Sequence, residues 1–363
     1  MVTAPPLAAG GGVAHPDPVP EWDLLARDVG APPFSRPGWV QAWAAMAGRR
    51  LEVLQTRRNG ALTGILPMVS QIGGLAVAAD WHVPVFQAVA REDADLRELT
   101  AAAITGRRRL TMDFCDASAP TAAAFRSALA ERGFTARERI RMRSPFIDLG
   151  AGRSAYEAGL GARKLRELGR RRRRLEEEGT VVIEVADGSA GLDASLDEGF
   201  AVEGSGWKGS AGTAIGSAPA TDRFYRQAGH WAAEAGILRL SFLRVAGIAI
   251  AFDLSMAAHG TEWLLKTGYS PAWSRYSPGS LLRSAAIERA FDQGLVAYEF
   301  AGGAEPWKLE WTTTCRDIVR IEGFAPGAIG GAFSIGSRVG RRLRTLGRAA
   351  PRRHGDPRTP VSG

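Results

Sequence analysis

Two tight turns set 187 positions apart limit what this chain can fold into. The first joins the halves of LEVLQTRRNGALTGILPMV at Asn59-Gly60, and the second joins the halves of ILRLSFLRVAGIAIAFDLSM at Ala246-Gly247. Asn-Gly between two apolar runs is the strongest short hairpin signal, because both turn residues must take a positive φ. In each half a helical stretch follows, and then a short strand that carries an acid next to a phenylalanine. These are Asp113-Phe114 and Glu299-Phe300, 186 positions apart. Near-equal offsets at separate landmarks predict a duplicated unit of about 140–150 residues. Within each unit, antiparallel strands precede a helix and a further strand. That order predicts an α/β chain of the α+β type, a mixed sheet with helices on both faces.

The rest of the chain fits around these units. Residues 1–20 have no basic segment before their small residues and read as a disordered leader rather than a signal peptide. Residues 21–150 form the first unit. It opens on the helix of FSRPGWVQAWAAMAG, with Pro37 suited to the first turn. It continues through helices at 91–105 and 120–132 and ends on a strand, FTARERIRMRSPFIDL, with a break expected at Pro145. Residues 151–179 hold a basic connecting helix, ARKLRELGRRRRRLEEEG, with a stripe of Leu165, Leu168 and Leu175 and a stop at Gly179. Residues 180–325 form the second unit, with helices at 190–204, 219–235 and 279–293. Residues 326–363 form a disordered, arginine-rich tail.

Charge follows that division. The chain has 46 Lys and Arg against 38 Asp and Glu, a formal +8. Residues 336–363 alone carry eight Arg and one Asp, so the other 335 residues are close to neutral. A basic tail of this kind is usually solvated, and contact with an anionic membrane surface is the alternative. No apolar run reaches the ~18 residues of a membrane span. Two cysteines and five scattered histidines give no disulfide framework and no metal spacing, so a cytoplasmic chain without a metal is expected. DNA is not an expected partner. Arginine outnumbers lysine 42 to 4, and the retained lysines are Lys164, Lys208, Lys266 and Lys308. A Lys kept where Arg would serve for charge points to a need for a compact ammonium.

The most informative stretch is WLLKTGYSPAWSRYSPGSLL, residues 263–282. A strand with Lys266, Thr267, Gly268 and Tyr269 leads into a loop with Arg275 and Tyr276. Ser277-Pro278-Gly279-Ser280 then opens a helix. Backbone N–H groups at such a helix start form an anion site, and Arg275 could add a charge-assisted hydrogen bond to a phosphate. An ordinary capped helix after an ordinary loop is the competing reading.

The run FLRVAGIAIAFDL, WLLKTGY, RYSPGSLL and YEFAGGAEPWKLEWT, with GWKG upstream, resembles the acetyltransferases of the GNAT superfamily known as CelD/BcsL-like. These are associated by name with cellulose biosynthesis and are related to the Fem-type peptidyltransferases. The resemblance spans roughly residues 20–325 and is most specific in 200–312. It implies two GNAT units in tandem, joined by the basic helix, with the donor site in the second and a degenerate first unit that shapes the acceptor side. Strand 263–269 would line the pantetheine arm of acetyl-CoA or another acyl-CoA, and residues 275–280 would hold its pyrophosphate. The phosphate loop departs from the superfamily pattern by one residue and lacks its first glycine.

For acyl transfer a base must take the acceptor's proton and a donor must meet the departing thiolate. Glu305, Glu299 and Asp253 are candidate bases, and Tyr276 and Tyr269 candidate acids. Lys208, Lys266 and Lys308 could polarise a carbonyl or bind an anionic acceptor. Lys208 and Lys308 each follow a tryptophan, so Trp207, Lys208, Trp307 and Lys308, with Asp253, are expected on the acceptor side. Surface or ion-paired residues are the bland alternative for each of them. The expected activity is acyl transfer from acyl-CoA to an amine or hydroxyl, such as a sugar or envelope precursor, in one ternary complex, since neither cysteine sits as a nucleophile. The alternatives are a Fem-like transferase that takes its acyl group from aminoacyl-tRNA and a non-catalytic scaffold in an envelope polysaccharide complex.

Overall fold

The computed structural model describes residues 19–206 and 214–327. Nearly all of the expected leader and tail lies outside the described residues, and so do Trp207 and Lys208. The first half comprises α1 (Val19–Asp28), α2 (Pro37–Met46), β1 (Leu51–Arg58), β2 (Ala61–Gln71), β3 (Gly74–Val77), β4 (Val89–Ala90), α3 (Asp93–Ile104), β5 (Arg109–Asp116), α4 (Pro120–Glu131) and β6 (Thr135–Asp148). Helices α5 (Arg153–Leu160) and α6 (Ala162–Glu176) connect it to the second half. That half comprises β7 (Val181–Ala186), α7 (Leu192–Gly204), α8 (Pro219–Glu234), β8 (Leu238–Val245), β9 (Ile248–Ala258), β10 (Thr261–Tyr269), α9 (Pro278–Asp292), β11 (Ala297–Glu299), α10 (Pro306–Leu309) and β12 (Cys315–Phe324).

Both hairpin turns form as their residues require. Asn59 and Gly60 have φ of 51° and 82°, and Ala246 and Gly247 have φ of 47° and 84°. A positive φ at both turn residues matches the right-handed twist of the flanking strands. Phe114 and Ala301 also have positive φ, 57° and 49°, and lie 187 positions apart. The duplication therefore keeps one offset from the hairpin turn to this residue. Phe114 is matched by Ala301, one residue beyond the Phe300 that the acid-Phe pattern selects.

The strands form one mixed sheet in the order β1-β2-β3-β5-β12-β6-β11-β10-β9-β8-β7, with β4 paired to β2. The order is symmetric about its centre. Strands β1-β2-β3-β5 are mirrored by β8-β9-β10-β11, with β7 added at the second edge. Between them the two units exchange their last strands. β12 inserts beside β5 of the first unit, and β6 pairs with β11 of the second through Phe146, Ile147 and Asp148. β6 and β12 are antiparallel to each other from Thr135↔Phe324 to Pro145↔Cys315.

The break expected at Pro145 does not occur, and β6 runs through it. The Pro145 carbonyl accepts from the Phe300 N–H at 3.1 Å, on the β11 side of the strand. A Pro145 N–H would point the same way, past the end of β11 at Glu299, so no ladder bond is lost.

Alternating side chains put apolar residues on both faces of the second half. Phe242 and Phe252 pack in one cluster with Leu196, Phe200, Phe224 and Tyr225 of α7 and α8. Leu243, Ala251 and Leu264 pack in another with Leu168 and Leu175 of α6 and Leu282 and Ile287 of α9. The first cluster runs on into α1–α4 of the first half, so one core spans both units. No helix among the described residues is long and apolar enough to cross a membrane.

Candidate active site

β10 and β11 pair in parallel only over Thr261–Trp263 and Ala297–Glu299. Beyond that point β10 continues to Tyr269. The other chain turns away through Ala301 and Gly302, both in left-handed conformations. A cleft of about 890 Å³ opens where they part. One wall is β10 from Leu264 to Tyr269, and the other runs from Phe300 to Trp311. Its outer end meets the start of α9 at Ser277, Gly279 and Ser280. Its inner end is closed by Trp39, Trp81, His82 and Met142 of the first unit with Glu203 and Tyr225 of α7 and α8.

Three local features shape the cleft. The pairing of β10 with β9 slips between Leu264, opposite Ser255, and Lys266, opposite Leu254, so Leu265 is an extra residue. Such a bulge leaves one backbone amide outside the ladder. Gly268 lies directly under α7, and a Cβ there would stand 2.4 Å from Glu203 Cα. Ser277, with φ 53° and ψ 54°, ends the 3-10 turn Pro271–Tyr276 and caps α9, whose first residue is Pro278.

Beneath the cleft Arg283 of α9 is 1% exposed. Its guanidinium donates to Asp253 at 2.8 Å, to Thr267 Oγ1 at 3.3 Å and to the Tyr298 hydroxyl. Burial opposes its charge, but Asp253 and Tyr298 outweigh that and raise its pKa. Burial also pushes the Tyr298 hydroxyl up.

Of the expected donor-side residues, Lys266, Thr267, Gly268, Tyr269, Ser277, Gly279 and Ser280 line this cleft. Arg275 and Tyr276 do not. Arg275 is largely exposed and pairs with Glu178 at 3.1 Å, and the Tyr276 hydroxyl donates to the same carboxylate. That hydrogen bond, with desolvation, raises the Tyr276 pKa. Glu178 follows α6, so this cluster is outside the cleft wall.

Of the expected catalytic and acceptor residues, Glu305, Trp307 and Lys308 line the cleft. Lys308 is buried, and its Nζ donates to the Ala301 carbonyl at 2.5 Å and the Gly303 carbonyl at 3.1 Å. It pairs with the half-exposed Glu305 at 2.9 Å. Trp307 meets Phe300 edge to face at 5.9 Å. Asp253 is 2% exposed beneath the cleft and is held by Arg283 rather than presented to an acceptor. Glu299 faces the other side of the sheet from Tyr298, as strand alternation requires. It lines a separate cavity of about 240 Å³ with Asp116, Ser144, His259 and Arg316. Its carboxylate accepts from Arg316 Nε at 2.8 Å, and burial raises its pKa.

The inner end holds side chains that sequence reasoning missed. His82 Nδ1 is 3.2 Å from the Tyr225 hydroxyl, and Lys266 Nζ lies 4.9 Å from the centre of the Tyr225 ring. Glu203 is buried and accepts from the Ile215 N–H at 2.9 Å. His82 reaches this place because the first unit's own splay is filled. β3 and β5 pair in parallel over Gly74–Ala76 and Arg109–Thr111, then part at the position equivalent to the cleft. Residues 79–88 occupy that gap. Val83 and Phe86 are buried, and the Phe86 N–H donates to the Phe114 carbonyl at 2.6 Å. Trp81 sits edge-on to Phe114, with Arg141 4.9 Å from both rings. Among the described residues no group of three or more His, Cys, Asp or Glu side chains could hold a metal ion.

Comparison with known proteins agrees with this geometry. Residues 162–309 match the model of the acetyltransferase (GNAT) domain. The fold is similar to that of FemX, with a TM-score of 0.60 at 11% identity over 86% of this chain and 96% of that one. It is also similar to L-PGS from Bacillus licheniformis, with a TM-score of 0.55 at 14% identity over 90% and 97%. A third similar fold is the C-terminal domain assigned to a lysylphosphatidylglycerol synthetase from Agrobacterium fabrum, with a TM-score of 0.56 at 15% identity over 88% and 95%. A search of curated proteins gave no significant match. The family match covers the splayed strands, the start of α9 and the cleft wall as far as residue 309, so the second unit, which carries the cleft, is the part of this chain that matches the GNAT acetyltransferase domain.

Proposed function

We propose that the chain transfers an acyl group from an acyl-CoA lying along β10 to an amine or hydroxyl acceptor that enters at the inner end of the cleft. The observation that carries this reading is the continuity of one cleft, from the start of α9, past the bulge at Leu265, to a pocket walled by both units. Its volume is within the ~300–1,000 Å³ of small-molecule sites. A bound acyl-CoA supplies an activated thioester. The chain's own residues do the rest. The N-terminus of α9 offers the Gly279 N–H and the positive end of a 15-residue helix to a pyrophosphate at Ser277–Ser280, where Pro278 has no N–H and those of Ser277 and Ser280 donate to backbone carbonyls. The amide freed by the bulge is a hydrogen-bond donor for a carbonyl oxygen that gains charge. Trp39, Trp81 and Tyr225 give the acceptor an aromatic wall, which suits the apolar faces of a sugar as well as an aliphatic amine. A sugar or cell-envelope precursor is the acceptor class we favour.

One observation favours a second reading, transfer from aminoacyl-tRNA. Helix α6 packs against α9 and the 3-10 turn Pro271–Tyr276. It exposes Arg163, Arg166, Arg170, Arg173 and Arg174, which have no ion pair among the described residues. Glu178, meanwhile, neutralises Arg275 at the outer end of the cleft.

Thermal shift separates the readings. Acetyl-CoA or CoA should raise Tm, and Ser280→Glu should abolish that rise. A carboxylate in the first turn of α9 suits the helix dipole, so the variant's own Tm should hold while phosphate is repelled and affinity falls at least ~10-fold. No response to acetyl-CoA with salt-sensitive tRNA binding would favour the second reading. No response to either would leave a non-catalytic scaffold.

A further inference from the structure

We propose that His82, carried into the second unit's cleft by the loop that fills the first unit's, takes the proton from the acceptor. This inference rests on the acyl-transfer reading above. The step balances within the cleft. The acceptor nitrogen or oxygen attacks the thioester carbonyl carbon and forms a C–N or C–O bond. Its proton passes to Nε2 of His82, the C–S bond breaks, and the proton returns to the departing thiolate.

The other cleft-lining bases are committed or unsuitable. Glu305 is half exposed and paired with Lys308. Glu310 is exposed and paired with Lys164. Glu203 is buried, holding the Ile215 amide. Tyr225 is buried and its hydroxyl is pushed up, so it does not ionise near neutral pH. His82 lines the cleft, and the only hydrogen-bonding contact of its ring among the described residues is Nδ1 with the Tyr225 hydroxyl. With the proton on Nδ1 and donated to Tyr225, Nε2 keeps a free lone pair.

Position supports the same assignment. Lys266 directly follows the bulge residue Leu265, its ammonium lies over the Tyr225 ring, and the Tyr225 hydroxyl meets His82. The bulge and the imidazole thus line one cleft and are linked through Lys266 and Tyr225. The groups that face His82 are Tyr225 from α8, Lys266 from β10 and Asp80 from its own loop, whose carboxylate accepts from the His82 N–H at 2.8 Å. Burial lowers the His82 pKa, Asp80 opposes this and Lys266 reinforces it. The imidazole is thus neutral, and basic, at neutral pH.

The test uses the full chain. Nitrogen-15 NMR of its histidines, with His82→Gln to assign the signal, should show His82 titrating below the ordinary value of 6.5 as the Nδ1–H tautomer. Saturating acetyl-CoA should shift its Nε2 resonance. An Nε2–H tautomer at neutral pH overturns the proposal with or without ligand. So does a resonance that acetyl-CoA leaves unmoved while Tm rises. A chain whose Tm does not respond to acetyl-CoA instead removes the CoA reading. In thiol release from acetyl-CoA with a panel of primary amines that includes glucosamine, His82→Gln should lower kcat about 100-fold or more and abolish the acid limb of the pH profile. Acetyl-CoA affinity should stay within about twofold. A retained acid limb with kcat unchanged would sink the assignment.

Discussion

An ammonium has three hydrogens, and three acceptors surround that of Lys308: the carbonyls of Ala301 and Gly303 and the carboxylate of Glu305. A group held this way has no hydrogen left for a substrate. It fixes the turn through Ala301 and Gly302 that makes the chain leave β10, and a Cβ on Gly302 would already stand 3.3 Å from its nitrogen. Lys308→Met keeps the stem and removes the donors. The expected cost is about 1–3 kcal/mol from stranding the buried carbonyls, measured by denaturant unfolding. An unchanged stability with turnover lost would instead give Lys308 a chemical role. The sequence marked Lys308 through the scarcity of lysine and the Trp-Lys pairing, and it marked the start of α9 through Pro278-Gly279. It did not show which way Glu299 faces, because the three-residue β11 has no alternation long enough to read, nor which way Asp253 faces, because β9 is buried on both faces around it. His82 was illegible for another reason: its partner Tyr225 is 143 positions away.

At the scale of elements, the cleft depends on α7 lying against β10 with no side chain between them at Gly268. Gly268→Ala would force the 2.4 Å approach to Glu203 Cα to open. Overpacking of this kind costs about 1–3 kcal/mol. Because Gly268 and Glu203 both line the cleft, acetyl-CoA affinity should fall with stability, by more than Tm alone accounts for. Calorimetric titration together with thermal unfolding tests this, and a variant that binds normally would show that α7 shifts without disturbing the wall. The duplication also shows how the second unit came to keep its space. Pro120 opens the 12-residue α4, and Pro306, 186 positions on, opens only the four-residue α10. The start of α4 was read from the sequence, since proline suits the first turn, but a helix at Pro306 was not. The early stop of α10 is not legible either. No Gly or Pro stands between Leu309 and the start of β12 to mark it.

The whole molecule is tied together by exchange. The sequence shows the order of strands along the chain but not which edges they join, so the tandem units were legible and their crossed last strands were not. Two sets of contacts among those that join the halves bear on this. One is the aromatic seam of Phe34, Trp39, Phe224 and Tyr225, where Trp231 of α8 also packs over Gly38 of α2. The other is the central run β5-β12-β6-β11, in which each unit completes the other's sheet. Neither unit should therefore fold alone. β12 buries Ile318, Val319, Ile321 and Phe324, all at 2% exposure or less. At about 1.5–3 kcal/mol per side chain, those four contribute roughly 6–12 kcal/mol, against a whole-protein stability of about 5–15 kcal/mol. A chain ending at residue 327 keeps every described element and should unfold as the full chain does. One ending at residue 314 should lose protection from hydrogen exchange in β1, β2 and β5, more than 200 residues from the first missing one in the case of β1. Retained protection there, with an independent unfolding transition for the first half, would show that the exchanged strand decorates a self-sufficient unit. Loss of protection would show that the inner wall of the cleft, which the first unit builds, depends on the last strand of the second.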